Sequence, residues 1–215
     1  MPKSSKIKRP YNSTRRQAQA QETRRQIVAA ARRLFIAYGY AGATIDAIAE
    51  EAGVAAETVF AAFGNKRTIL TRLIAVAVGG DDQAIPLLER PDPQAVLHER
   101  DPRRQVQLFA ADIAAILERV APIFGVMRVA AKTEPDIAEL LKTVLNERLQ
   151  TLSVMVQSLA SHGPLRAGLD VAQGTEIVWA MTSPEVFTLF TVDRGWPREK
   201  YIAWLSDTLI RLLLP

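Results

Sequence analysis

At 215 residues, 48% apolar and 23% charged, the chain has room for one or two domains and a core without covalent staples, and wholesale disorder is excluded. The absence of cysteine excludes disulfides, thiolate nucleophiles and cysteine metal sites and fits a reducing compartment, and with only His98 and His162 a histidine-rich metal site is excluded too. The net charge of +4 is uneven: residues 1–75 carry 13 Lys/Arg against 5 Asp/Glu (+8) and the remainder 14 against 18 (−4), which points to a polyanion partner for the first third or, more blandly, to a solubilising basic tail.

Residues 1–21 hold Lys3, Lys6, Lys8, Arg9, Arg15 and Arg16 with almost no large apolar side chain, and are expected to form a flexible arm. Ser13 or Thr14 could cap a helix start at its end. From Glu22, Ile27, Ala30, Ala31, Leu34, Phe35 and Tyr38 recur at helical spacing, one apolar face, and Gly39 ends that helix. Thr44 caps a short helix to Ala52, Gly53 breaks it, and a second short helix runs from about Ala55 to Ala62. After Gly64, Asn65 caps a helix from Lys66 to Val78. Gly79-Gly80-Asp81-Asp82 is the best boundary, dividing a 22–78 domain from a 79–215 domain.

Beyond it, Pro86, Pro91 and Pro93 are expected to keep the chain irregular or in short turns. A helix from Pro102 to about Arg119 is interrupted by Pro122 and Gly125, and another reaches about Lys132. Glu134-Pro135 opens a long helix to about Ser161, whose apolar stripe contains one charge, Arg148. A helix over 170–193 bends at Ser183-Pro184, and Pro197 suits the first turn of the last helix. No segment shows strand alternation or an internal repeat, so the fold class is all-α. The longest uncharged run, Leu149 to Leu165, is too polar to cross a bilayer, and no apolar stretch follows the basic N-terminus, so the expectation is a soluble cytoplasmic protein, no membrane partner.

Within Thr44–Phe63, Ala49, Gly53 and Val59 stand at offsets 0, +4 and +10, with Ile48 and Val54 around them. Two helices crossing at a wide angle need this: a small contact residue, a turn glycine and an apolar anchor. The window alone also fits an ordinary helical hairpin. The wider stretch from Arg24 to Leu70 resembles the N-terminal domain of the TetR family of bacterial transcriptional regulators, through I-V-A-A-A-R-R-L-F-I-A-Y-G-Y from Ile27, A-T-I-D-A-I-A-E-E-A-G-V from Ala43 and T-V-F-A-A-F-G-N-K-R-T-I-L from Thr58.

The resemblance implies a homodimer whose two helix-turn-helix heads bind a palindromic operator in double-stranded DNA. Thr44, at a helix N-terminus, would meet a phosphate or act as a cap alone; Lys66 matches the family's phosphate-clamping lysine, or is a plain surface charge. Ala55, Ala56, Glu57, Thr58, Phe60 and Ala61 would face the major groove. They depart from the family, whose recognition helix commonly carries a Lys or Arg, a Tyr and a His: Phe60 lacks the tyrosine hydroxyl, Glu57 repels phosphate though it could accept from a cytosine amino group, and the alanines can touch only thymine methyls. Direct readout should be thin, which turns attention to the arm: Lys6, Lys8, Arg9, Arg15 and Arg16 would enter a minor groove, or add only non-specific attraction.

The same resemblance implies an effector pocket among the central helices, with Phe109, Ile113, Ile116, Phe124, Met127, Arg128, Leu152, Met155, Trp179 and Met181 as candidates, each also at home in a core. Arg128 would need an anionic partner if buried, or lies at the surface. The effector would be lipophilic or aromatic. The last two helices would form the dimer interface, burying Trp179, Phe187, Phe190, Trp204 and Leu205 there or in the protomer core. No catalytic constellation, P-loop, metal-ligand spacing or cofactor motif is present, so no enzyme activity, metal or cofactor is expected. The alternatives to a ligand-released repressor are a small-molecule-binding dimer with weak DNA binding and a low-specificity binder driven by the arm.

Overall fold

The computed structural model describes residues 11–215, with side chains from Arg15 onward; the arm residues Lys3, Lys6, Lys8 and Arg9 lie outside them. Among the described residues all regular structure is helical. α1 (Tyr11–Gly42) starts at Tyr11 rather than Glu22, so the second half of the expected arm is helix. Residues 11–21 contain no proline or glycine and end in alternating Gln and Ala, which sustain a helix already nucleated downstream. Ile27, Ala30, Ala31 and Phe35 are buried as expected, but Tyr38 is 69% exposed. Gly39 (φ 71°, ψ 176°) redirects the last turn, and Tyr40 takes the inward place, its ring stacked on Phe35 at 5.6 Å.

α2 (Ile45–Ala52) is capped by Thr44, whose Oγ1 accepts from the Ala47 N–H at 3.1 Å. Gly53 is left-handed (φ 67°) and turns the chain into α3 (Ala56–Phe63). Ile48, Ala49 and Val59 meet in the core, the contact their spacing anticipates. α4 (Lys66–Gly79) is capped by Asn65, which accepts from the Thr68 N–H at 2.9 Å.

The proline-rich stretch holds a 3-10 turn (Leu87–Glu89) and a real helix, α5 (Pro91–His98), rather than irregular chain. Pro91 and Pro93 lie in the first turn, where a missing N–H removes no helical bond. α6 (Pro102–Ala130) is continuous through Pro122, against the expected interruption. Val120, Ala121, Ile123, Phe124 and Met127 are all buried on either side, and their burial outweighs a proline cost of about 3 kcal/mol. α7 (Pro135–His162) follows. The single bent helix expected over 170–193 is three pieces, α8 (Val171–Met181), α9 (Pro184–Thr188) and a π turn (Leu189–Asp193), because Pro184 cannot continue α8 and Ser183 caps a new start. α10 (Arg198–Leu213) closes the chain.

Gly79-Gly80 ends α4 without parting two cores. A Cβ at Gly79 would sit 2.9 Å from Arg90 Nη2, and Gly80 is left-handed (φ 85°). Arg119 of α6 donates to the carbonyls of Ala77 (2.8 Å) and Val78 (3.3 Å), the open end of α4. α1 and α4 both pack on α6, and the buried apolar residues form one cluster from Ile27 to Leu214.

Asp112 on α6 is half-buried, and burial, assisted by Asp92, pushes its carboxyl up to about 6 against the opposing pull of Arg119. Between about 3.8 and about 6 the native state holds a proton that the unfolded chain has released, so stability falls as pH rises through that window. Asp112→Asn is expected to raise stability by about 1–2 kcal/mol at neutral pH and by nothing near pH 3. Urea melts of both proteins at the two pH values check this; an equal gain at both would refute it.

Candidate DNA-binding face and internal pocket

α3 turns Val59 and Phe63 inward, which leaves Ala55, Glu57, Phe60 and Ala61 exposed and Ala56 and Thr58 half-buried. Phe60 is 53% exposed, with no polar atom to offer. Of the six residues expected at the groove, Ala55, Glu57, Phe60 and Ala61 thus lie on the outward side, whereas Ala56 packs against the core. Thr44 is exposed; its oxygen is committed to the cap, and its O–H remains able to donate. α2 is held against α1 by the Arg33–Glu51 ion pair (2.6 Å), and Arg24 lies 5.2 Å from the Phe63 ring centre.

Lys66 has an internal partner. Its Nζ donates to the Tyr40 carbonyl at 2.6 Å and lies 4.2 Å from the Tyr40 ring centre. Burial lowers its pKa, with Glu134 opposing. One of its three donors therefore joins the start of α4 to the end of α1, and two remain. Arg15 and Arg16 are exposed on a helix, not on a flexible arm, and lie roughly 30 Å along α1 from Phe35 at 1.5 Å per residue. Sequence reasoning passed over Tyr38, for which it foresaw a core place, and Arg67, exposed in the first turn of α4 beside Lys66.

A cavity of about 530 Å³ lies between α4, the 81–90 segment, α6 and α7. Of the effector-pocket candidates, Ile113, Ile116, Phe124 and Leu152 line it. The other candidates lie elsewhere. Phe109, Met127 and Met155 are core residues, and Trp179 and Met181 are partly buried on α8. α8 packs against α7 and contributes no residue to the cavity lining. Arg128 is at the surface, paired with Glu185 at 2.7 Å and lying over the Phe124 ring.

The unforeseen wall is α4, through Thr71, Ile74, Ala75 and Val78, together with Arg148 on α7. The hint was Arg148's place as the one charge in an apolar stripe. Its Nη2 donates to the Trp179 carbonyl (2.6 Å) and to Thr182 Oγ1 (2.9 Å). Burial lowers its pKa to about 10, with Glu185 opposing, so it stays cationic at neutral pH.

At the far end, Phe187 and Leu205 are buried within the protomer and are not open to a partner. Trp179, Phe190 and Trp204 are partly buried; Phe190 stacks on Trp196 at 4.5 Å. Leu189 and Val192 on the π turn are exposed. Among the described residues no helix is long and apolar enough to cross a membrane.

Residues 27–73 match the model of the bacterial regulatory proteins of the tetR family. The match is confined to these N-terminal helices, which are therefore similar to the family's DNA-binding region. The matched span runs from the first buried residue of α1 through the turn at Gly53 to Leu73 in α4, and so contains the whole α2–α3 pair. The TetR-type fold extends over the rest. A TetR-family transcriptional regulator of Mesorhizobium loti aligns with a TM-score of 0.69 at 18% identity, over 91% of this chain and 98% of that one. The regulator FadR of Bacillus subtilis, solved with stearoyl-CoA, aligns at 0.68 and 20% identity over 86% and 96%. NalD, the secondary repressor of the MexAB-OprM multidrug efflux pump in Pseudomonas aeruginosa, aligns at 0.68 and 18% over 91% and 98%. At these identities the likeness is one of fold. No curated protein matches the chain.

Proposed function

We propose that this protein is a TetR-family homodimeric cytoplasmic repressor that leaves a palindromic operator when a small apolar molecule fills the cavity between α4, α6 and α7. The observation that carries this reading is that α4 belongs to both sites. Its inner face, Ile74 and Val78, walls the cavity, while its first residue, Lys66, holds the end of α1 and follows α3 across a two-residue turn. A molecule that displaces α4 by even a small amount displaces the recognition helix with it. In the dimer that changes the spacing of two recognition helices that must enter successive major grooves.

In this reading residues 22–78 are the DNA-binding domain and 79–215 the effector and dimer domain, joined through the outer faces of α8 and α10. The FadR structure, which holds stearoyl-CoA, supports a body of this fold receiving a ligand with a long hydrocarbon chain.

Footprinting on genomic fragments, the protein's own upstream region among them, tests the reading at about 150 mM salt with competitor DNA. A protected palindrome, lost when ligand is added, is the expected result. Uniform weak protection that competitor removes would favour the second reading, a small-molecule-binding dimer with weak DNA affinity, whose specific support is the exposed Glu57 among alanines on α3.

A further inference from the structure

We propose that the cavity takes an amphipathic acid, an apolar chain with one carboxylate, and that the Arg148 guanidinium receives the carboxylate. The inference rests on the cavity being the effector site and adds the chemical class of the effector. Three cations line the cavity: Arg72, Arg90 and Arg148. Arg72 is paired with Asp82, and Arg90 with Asp81 at 2.8 Å. Arg148 alone of the three has no carboxylate within ion-pair distance among the described residues.

The nearest source of relief is already committed. Glu185 is the acid whose charge bears most on Arg148, and it is bound to Arg128 at 2.7 Å. The hydrogen bonds of Arg148 go to neutral oxygens and use one nitrogen, Nη2. Those two bonds, with the Trp179 ring centre 5.2 Å from its central carbon, fix the guanidinium plane and leave Nε and Nη1 without partners among the described residues. With both Nη2 hydrogens committed the fork is closed to two-pronged pairing, and Nε or Nη1 is left to give a carboxylate oxygen one charge-assisted hydrogen bond. A buried charge costs free energy until it is paired, so the acid gains where a neutral ligand does not.

The rest of the wall sets the remainder of the ligand. Ile74, Ile113, Ile116, Phe124 and Leu152 offer nothing polar, so the body beyond the carboxylate must be hydrocarbon. Glu147, the neighbour of Arg148 on the same wall, disfavours a head with two negative charges.

The test is calorimetric titration of the full-length protein, without DNA, with dodecanoate, its methyl ester and dodecanol. Dodecanoate is expected to bind at least tenfold more tightly than either neutral analogue. Arg148→Met should erase that preference while leaving dodecanol affinity within about twofold, and Arg148→Lys should keep part of it. Arg128→Met, which frees Glu185 to turn toward Arg148, should weaken dodecanoate binding and leave dodecanol affinity unchanged. If Arg148→Met melts early, the lysine variant and the three-ligand comparison on the unaltered protein still decide. Equal affinity for acid and alcohol, no binding of any of the three, or a preference that survives Arg148→Met would overturn the proposal. Dodecanoate that binds through Arg148 but leaves an operator complex intact would sink the release mechanism and not this assignment.

Discussion

Replacing Ala61 by glutamate is expected to lower operator affinity about a hundredfold with the fold intact. Ala61 is exposed on α3, one turn beyond Glu57 and beside Phe60, on the surface opposite the buried Val59 and Phe63. A carboxylate there faces phosphates and, at i+4 from Glu57, adds a second like charge to the same stripe. A dimer presents the change twice, and about 1.4 kcal/mol at each half-site compounds to about a hundredfold. Glutamate is a good helix former and buries nothing, so the melting temperature should move little. The opposite change, Glu57→Lys, should strengthen binding and steepen its salt dependence by about one phosphate contact per half-site. Fluorescence anisotropy with labelled operator across a salt series reads both. If Ala61→Glu binds as the parent does, α3 is not the surface that meets DNA.

Phe35→Ala is expected to cost about 3–5 kcal/mol, a large share of the 5–15 kcal/mol that usually separates folded from unfolded chains. Phe35 is fully buried, and its ring is the platform for Tyr40, whose carbonyl in turn holds Lys66. Removing the ring leaves a cavity where α1 meets the rest of the N-terminal helices. Because the buried cluster runs unbroken from α1 and α4 into α6, the loss should appear as one cooperative transition shifted as a whole. Denaturant unfolding followed by circular dichroism measures it. A first transition confined to the N-terminal helices would show that Gly79-Gly80 divides stability as well as sequence.

The helix-turn-helix was legible because its constraints are local. Thr44 and Asn65 are good caps, Gly53 and Gly64 adopt positive φ where the chain must turn, and Ala49, Gly53 and Val59 stand at the offsets that two crossing helices need. Tyr38 was misplaced because periodicity was carried one turn too far, up to a glycine that redirects the chain and gives the inward place to Tyr40. Pro122 was read as an interruption because a proline's local cost is visible and the compensating burial of its neighbours is not.

The amino-acid sequence by itself determined the all-helical class and the N-terminal helices with their caps and turns, since each follows from residue types a few positions apart. Only the tertiary structure decided which apolar residues line the cavity. Phe109, Met127 and Met155 share the character of Ile113 and Phe124 but lie in the core, and the difference between a wall and a core is the presence of a facing helix. It also decided that α4 walls the cavity and that Arg148, not Arg128, is the arginine left without an acid. Those facts depend on side chains brought together from residues far apart in the chain, and no local period records which helix will stand opposite another.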